Sequence, residues 1–518
     1  MDRVRRAAFI AAFSVATDLA IGQPLAFAWK SCVLAVRLAR ALGDDHQLIY
    51  EVYHQALLRY IGCNADTYAM SALFGDEIAF RREFALIDMG RDREVISVVF
   101  QAIRRVANDK AFPAAIWSML QGLMRSKSAS AAILSGHCEV AGRIATRLGF
   151  DEAVIRNVAQ LYERWDGNGI PHGLQGEAVS LAVRIVTLAQ DIIILGGHFG
   201  AAKTLDMIKK RSGSAYDPQL VKIFLDSSDK FLNILDEEIN VSDVLQAEPQ
   251  PHFIFDESAI DEACLAMADF SDMRLPFKLG HSRAVATLSA AAAKRLSFPE
   301  RDITTLQRAA LIHDLGEVSI SASVFLQPRH LSPHDNEAIR LHPYYTERIF
   351  AIAQIMPEVA AIAGQHHERV DGSGYHRGLK GAGASTLSRI LAAVEYYQNL
   401  IEDRPHRPAV SQASAAMQLK DLARRGQLDN EAVGAVLESA GHKWTAATDR
   451  PKANLTQREI EILQGLARGE TAKQIARHFG LSPKTVDNHI QNIYAKAGIS
   501  TRGAAVLYAV EQGFLAQK

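Results

Sequence analysis

The 518-residue chain is poor in cysteine, in net charge and in long uncharged apolar runs. Its four cysteines, Cys32, Cys63, Cys138 and Cys264, stand far apart and form no CxxC pair. That spacing argues against a zinc ribbon or a disulfide framework and fits a reducing compartment. The formal net charge is −1, so no global field draws the chain to nucleic acid or membrane. Any basic surface has to be local. No stretch reaches the roughly 18 to 20 uncharged apolar residues that span a bilayer. The opening MDRVRRAAFIAAFSVATDLA imitates a signal peptide, but Asp18 interrupts the apolar run and no persuasive small-residue cleavage site follows. It reads as the first helix of a cytoplasmic domain. Alternating apolar and polar runs are scarce as well, which leaves little for a sheet.

What is present is helical periodicity. SCVLAVRLARAL and HSRAVATLSAAAAKRL place apolar residues at steps of three and four, so the expected fold class is all-α. Two segments read as linkers: the acidic, proline-bearing 236–253 and the small, polar 445–453. They divide the chain into domains at 1–245, 254–445 and 453–518.

The first two blocks are related. Shifted by 205, residues 161–185 match residues 366–390 at 11 of 25 positions without a gap. LYERWDGNGIP thus echoes HHERVDGSGYH, and His137 falls on His342. Upstream, ALLRYIG (56–62) matches ALIHDLG (310–316) at a shift of 254. A helical domain has been duplicated, and the first copy carries about 49 extra residues between the two matches.

The second copy holds His281, the dyad His313-Asp314, His342, His366, His367 and Glu395. Imidazole and carboxylate are the donor set for zinc, manganese or iron. A carboxylate can bridge two metals, so Asp314 is the natural centre of a two-metal site that clamps a phosphoryl group. Any one of these histidines is more readily a surface or capping residue. The first copy raises the odds for the set. It has Arg59-Tyr60 for His-Asp, Leu161-Tyr162 for His-His and Gln190 for Glu395, and only His137 survives. Residues that vanish together behave as one site. Glu368, Arg369, Asp371 and the glycines recur in both copies and are assigned to the scaffold.

With ALIHDLG, LHPYYTERIF, HHERVDGSGYHRGL and SRILAAVEYY in order, block 254–445 resembles an HD-GYP phosphohydrolase domain, and block 1–245 resembles a degenerate copy of it without the metal ligands. The resemblance implies an all-α fold and divalent transition metals, iron or manganese. It implies hydrolysis of a cyclic dinucleotide such as cyclic di-GMP. It makes His281, His313, Asp314, His342, His366, His367 and Glu395 the ligands, with His313 and Asp314 as the catalytic dyad. Arg404 and Arg407 fall where the family binds substrate phosphates, although a solvated basic turn reads equally well. Three departures stand out. Glu317 replaces the family's lysine, His376 replaces the proline of Gly-Tyr-Pro, and Phe277 stands where three-metal members carry a ligand glutamate. Two metals are therefore expected, and the first two departures weaken the expectation for the familiar substrate.

The C-terminal block contains two capping boxes, Thr456/Glu459 and Thr471/Gln474, and a Ser482-Pro483 start. The first helix should bury Ile460, Leu463 and Leu466, and the third should bury Val486, Ile490 and Ile493. Residues 453–518 hold eight Lys/Arg against five Asp/Glu, a local excess that suits phosphate contacts. LTQREIEIL, SPKTVDNHIQNIYAKAG and STRGAAVLYAVEQG resemble the LuxR-type DNA-binding domain. That resemblance implies a four-helix unit binding promoter DNA as a homodimer through its last helix, near 501–512. It assigns Lys484, Thr485 and Lys496 to phosphates, and Asp487, Asn488 and Gln491 to bases.

The expected protein is a cytoplasmic transcription regulator whose metal domain senses or hydrolyses a phosphorylated small molecule such as a nucleotide. One rival is a true phosphodiesterase with the DNA-binding head as an address or feedback device. Another is a purely structural metal cluster.

Overall fold

The computed structural model describes residues 4–109, 127–327, 331–444, 455–497, 499, 501–511 and 514. The linker expected at 445–453 lies outside the described residues. The chain forms two compact units, Met1–Trp444 and Thr445–Lys518. Both are helical, and among the described residues the only sheet is the antiparallel pair Val4–Arg5 with Ile254–Phe255.

That small sheet marks the duplication. Its strands begin the first and second copies. Each continues into a helix, Arg6–Ala20 and Glu257–Asp272, and the following helices correspond in order. Phe27–Leu42 answers His281–Arg295, His46–Leu58 answers Glu300–Ile312, Lys127–Arg147 answers His342–Ala353, and Leu181–Phe199 answers Thr386–Ile401. The two copies are not separate domains on a string. One continuous hydrophobic core runs through both.

The leading helices cause this. Arg6–Ala20 packs on His342–Ala353 of the other copy, and Glu257–Asp272 packs on Lys127–Arg147. Phe9, Ile10 and Phe13 are therefore fully buried, and Phe13 meets Phe270 edge-on at 5.0 Å. A helix that is apolar nearly all round needs cover on every side, and the second copy supplies it. The expected linker at 236–253 is packed for a similar reason. Asn240 and Asp243 form a capping box for the helix Val241–Ala247, whose Val241 and Val244 are buried against Phe27–Leu42. Glu248 then pairs with Arg5. The acidic composition of this stretch concealed an apolar stripe.

Leu181–Phe199 is long and apolar enough, by length and composition, to cross a membrane. It carries Arg184 and Asp191, and 67% of its most apolar window is buried within the unit.

The extra residues of the first copy include Thr67–Phe74, Glu77–Phe84 and Asp92–Asp109. They make a satellite core of Phe80, Val98, Val99, Ala102 and Ile103, with Phe74 stacked on Phe80 at 4.1 Å.

In the second unit the helices are Gln457–Ala467, Ala472–Phe479, Pro483–Ala497 and Arg502–Glu511. Both expected capping boxes form, and Ser482 Oγ accepts the amide of Thr485. Ile462 joins Leu463 and Leu466 in the core, while Ile460 is only half-buried. The stripe follows 462, 463 and 466, one step round from the expected face. Val486 and Ile493 are buried, with Ile490 and Tyr494 packed partly against them.

Candidate metal centre and DNA-binding helix

The candidate ligand histidines sit at or just beyond helix ends, where backbone carbonyls lack helical partners, whereas Glu395 lies within the helix Thr386–Ile401. His313 follows the helix Glu300–Ile312, and its Nδ1 donates to Ala310 O at 2.7 Å. His366 follows Pro357–Ala363 and donates to Ala363 O at 2.6 Å. His342 opens its helix and donates to Ile339 O at 2.6 Å. Nδ1 of His281 lies 2.8 Å from Glu402 Oε2. Each bond fixes the ring and leaves Nε2 facing inward.

These nitrogens converge on Asp314 from two sides. Oδ2 lies 3.4 Å from His313 Nε2 and 3.7 Å from His281 Nε2. Oδ1 lies 3.4 Å from His342 Nε2 and 3.5 Å from His366 Nε2. Glu395 Oε2 completes the first side, 3.0 Å from His313 and 3.1 Å from His281. His367 completes the second, its potential ligand nitrogen within 4.8 Å of those of His342 and His366. The expected ligands thus gather into His281/His313/Asp314/Glu395 and His342/His366/His367, with Asp314 between them.

The donors fit a pair of divalent metals. Nε2 of His342 and Nε2 of His366 face each other at 2.9 Å, and with both Nδ1 atoms donating to carbonyls a shared cation suits the pair. Burial lowers the His366 pKa to about 4 and pushes that of His367 well down, which keeps both rings in the neutral, ligating form. Burial opposes charge on His281, yet Glu395 and Glu402 outweigh it and lift its pKa to about 10. Burial also opposes charge on Asp314, but His313 and Lys278 hold its pKa well below the usual carboxylate value.

Several contributors escaped the sequence reading. Lys278 is buried, with Nζ 2.7 Å from Asp314 Oδ2 and 2.6 Å from Glu317 Oε2. Glu402 orients His281. Glu77, from the first copy's extra helices, is fully buried and accepts from Ser321 Oγ at 2.7 Å, Ala322 N at 2.8 Å and Arg274 Nη2 at 3.3 Å. Arg274 in turn donates to Glu317 O and Ile320 O, both at 2.6 Å. The first copy therefore braces the turn that carries Asp314. Lys278, three residues before His281, was the only one with a sequence signal.

Arg404 and Arg407, expected at substrate phosphates, spend their donors within and beside their own turn. Arg404 bonds Glu402 Oε2 at 2.8 Å, Asn399 Oδ1 at 2.5 Å and Phe277 O at 3.1 Å, with its side chain 6% exposed. Arg407 bonds Leu400 O at 3.1 Å and Asn399 O. From the centre, burial loosens outward. His367 stacks on Tyr375 at 4.6 Å, and Arg340, which is exposed, lies 4.9 Å over the Tyr375 ring.

The scaffold residues repeat in detail. Glu163 accepts amides of His172 and Leu174 at 2.7 and 2.8 Å, as Glu368 does from Arg377 and Leu379 at 2.7 and 2.8 Å. A Cβ on Gly62 would stand 2.0 Å from His137 O, and one on Gly316 would stand 2.0 Å from His342 O. At the first copy's centre, Phe27 opens the helix that His281 opens in the second, with its ring 6.3 Å from that of Tyr60. Nδ1 of His137 is 3.0 Å from Tyr162 Oη, and its Nε2 is 2.9 Å from Asp66 Oδ1, an ion pair by distance without hydrogen-bond alignment. Among the described residues, the groups that could hold a metal all lie in the second copy.

On Pro483–Ala497, Lys484, Asp487, Asn488 and Gln491 are exposed together. Thr485 Oγ1 lies 2.7 Å from Ser482 Oγ. Lys496 lies 2.7 Å from Glu459 Oε2, so its ammonium is shared with the first capping box.

Comparison with known proteins identifies the family. The HD domain family model matches residues 109–220 and 266–432, more than half of the chain. The chain belongs to the HD domain family. Residues 453–509 match the bacterial regulatory proteins of the luxR family, a helical DNA-binding domain. Over 401 residues the chain is 27% identical to 3′3′-cGAMP-specific phosphodiesterase 3 of Vibrio cholerae, covering 77% of this chain and 86% of that protein. The crystal structure of a cyclic GMP-AMP-specific phosphodiesterase from V. cholerae superposes with a TM-score of 0.60 at 21% identity, covering 85% of this chain and 98% of that one. The C-terminal part is 39% identical over 83 residues to the transcriptional regulatory protein LiaR of Bacillus subtilis, 16% of this chain and 38% of that protein. The HD domain chain thus joins an HD-GYP-type region to a LuxR-type DNA-binding domain.

Proposed function

We propose that this protein is a cytoplasmic, homodimeric transcription regulator whose second HD copy binds two divalent transition metals, iron or manganese, and hydrolyses a cyclic dinucleotide. The observation that carries the reading is Asp314, whose two oxygens each face a separate group of ligand atoms. When bound, the metals would supply Lewis-acid polarisation of a phosphoryl oxygen and a nucleophile at neutral pH. His281, His313, Glu395 and Asp314 Oδ2 would hold one, and His342, His366, His367 and Asp314 Oδ1 the other.

The protein's own residues prepare that chemistry. Backbone carbonyls and Glu402 hold the rings with each Nε2 aimed inward. Arg404 is a positioning residue, since it fixes the Glu402 carboxylate that holds His281. Lys278 neutralises Glu317, so the acid that replaces the family's lysine does not face an anionic substrate unpaired. A dinucleotide as substrate is supported by the relatives above and by the ring path from His367 through Tyr375 to Arg340, which can stack a base.

In the second unit, Lys484 reads as a phosphate contact, and Asp487, Asn488 and Gln491 as base contacts. Leu507 and Val510 are 60% and 58% exposed on the last helix, a face suited to pairing with a second copy.

The test is full-length protein loaded with manganese or iron(II) and offered cyclic and linear dinucleotides. Linear product is expected from a 3′,3′-cyclic dinucleotide and should disappear with Asp314→Asn. Binding without turnover in the wild type would sink the hydrolase reading and leave a sensor. For DNA, a genome-wide pull-down should lose its specific fragments with Asn488→Ala.

A further inference from the structure

Three groups of metal-competent atoms occur among the described residues, not two. The third is Asp314, Glu317 and His342, all buried, with their candidate ligand atoms within 4.8 Å of one another. Asp314 and His342 already belong to the two positions above, so the donor that this group adds is the Glu317 carboxylate, beside the Asp314 oxygen it can share. This group, however, already contains a cation. Lys278 Nζ stands 2.7 Å from Asp314 Oδ2 and 2.6 Å from Glu317 Oε2, on a side chain only 8% exposed.

We propose that Lys278 is a built-in cation that occupies the third position and limits the centre to two metal ions. The inference rests on the two-metal reading above and adds to Phe277, which stands in place of a third-metal ligand, a second residue that sets the number.

The position of the ammonium is fixed from outside the ligand set. Lys278 ends the short turn Pro276–Lys278, where its amide donates to Leu275 O at 2.8 Å. The carbonyl of the preceding Phe277 is held by Arg404 at 3.1 Å. The other partner is held as firmly, because Arg274 grips Glu317 O at 2.6 Å and is itself paired with Glu77. Neither Lys278 nor Glu317 can swing away without breaking buried contacts. A metal entering between Asp314 and Glu317 would have to expel a positive charge from the same few ångströms, and like charges at that distance in a buried site strongly exclude each other.

The charge arrangement also explains why Glu317 can stand beside the metals. With Lys278 present, Asp314 keeps its bridging role and Glu317 is spent on the ammonium. With Lys278 neutralised, Glu317 and the near oxygen of Asp314 become an unpaired anionic pocket next to His342 Nε2. Such a pocket recruits a cation.

The experiment is metal counting by inductively coupled plasma mass spectrometry on full-length protein. The protein is saturated with manganese and passed through gel filtration, and each variant is first checked by circular dichroism melting. Wild type and Lys278→Arg should hold about two manganese ions per chain, and Lys278→Gln and Lys278→Leu about three. The double variant Lys278→Gln, Glu317→Gln should return to about two, because the third site loses its carboxylate. Lys278→Gln removes the charge but retains a hydrogen-bond donor on the side chain, so it serves if the leucine variant fails to fold. A folded Lys278→Gln protein that still holds two ions overturns the inference, as does a wild type that holds three. A wild type that holds none or one overturns the two-metal reading itself, which keeps the two failures apart.

Discussion

The two HD copies share a skeleton and differ in what stands at its centre. Glu163 and Glu368 tie the same pair of loop amides, and Gly62 and Gly316 admit the same carbonyl. Yet His281, His313, Asp314 and His366 correspond to Phe27, Arg59, Tyr60 and Leu161. Keeping the glycines while replacing the candidate ligands teaches that loop geometry does not depend on what stands at the centre. The glycines satisfy close approach of backbone to backbone, a need that persists without any metal. The first copy meanwhile has a different task. Its extra helix carries Glu77 into the second copy and fixes the turn that bears Asp314 and Glu317.

The comparison breaks most sharply at the bridging carboxylate. Asp314→Asn should cost at least about 1,000-fold in turnover, whereas Tyr60→Phe at the matching place should leave turnover intact. A nucleotide assay with both variants decides it. If Tyr60→Phe matters equally, the copies do not differ as described.

Next comes the brace. Glu77→Gln should lower stability by about 3 kcal/mol, because it leaves Arg274 buried without its counter-charge. Denaturant unfolding gives the size, and loss of metal affinity in the same variant would tie the first copy to the second copy's centre.

The shared skeleton is tested by paired substitutions. Gly62→Ala and Gly316→Ala should each cost about 2–3 kcal/mol, since the added Cβ meets a backbone oxygen that cannot turn aside. Unequal costs in thermal melts would show that the copies are not held by the same contact.

The smallest effect concerns the one surviving histidine. Burial disfavours a charge on His137, but Asp66 and Cys63 outweigh it and lift the pKa to about 9. A folded value above the ordinary 6.5 means that stabilisation is complete below about pH 6.5 and is lost as pH rises through about 9. The size is on the order of 1–3 kcal/mol, and it should vanish in His137→Gln. Melting curves from pH 6 to pH 10 would show it. In the first copy this histidine is a charged partner of an acid; its counterpart His342 is a candidate ligand.

Much of this was legible in the sequence because it depends on local spacing. Helical periodicity, the capping boxes and the duplicated glycines each act within a few residues, and each recurs in the structure. The grouping of the candidate ligands was legible too, since the degenerate copy acts as a control printed in the same chain. Arg404 and Arg407 were harder. A basic pair in a turn looks the same whether it meets phosphate or caps carbonyls, and only the fold shows their donors bonded to Glu402, Asn399 and Leu400.

The sequence by itself determined the helical class, the repeat and the LuxR-type domain, and it named the candidate ligand residues, because each is written in short-range pattern. The tertiary structure alone decided that the two copies share one core, that 236–253 is a packed brace, and that Glu77 supports a centre more than 230 positions away. It also decided that Lys278 stands between Asp314 and Glu317. These contacts join residues distant in the chain. Burial selects them by pairing charge with charge and apolar face with apolar face, and no local pattern records the partner.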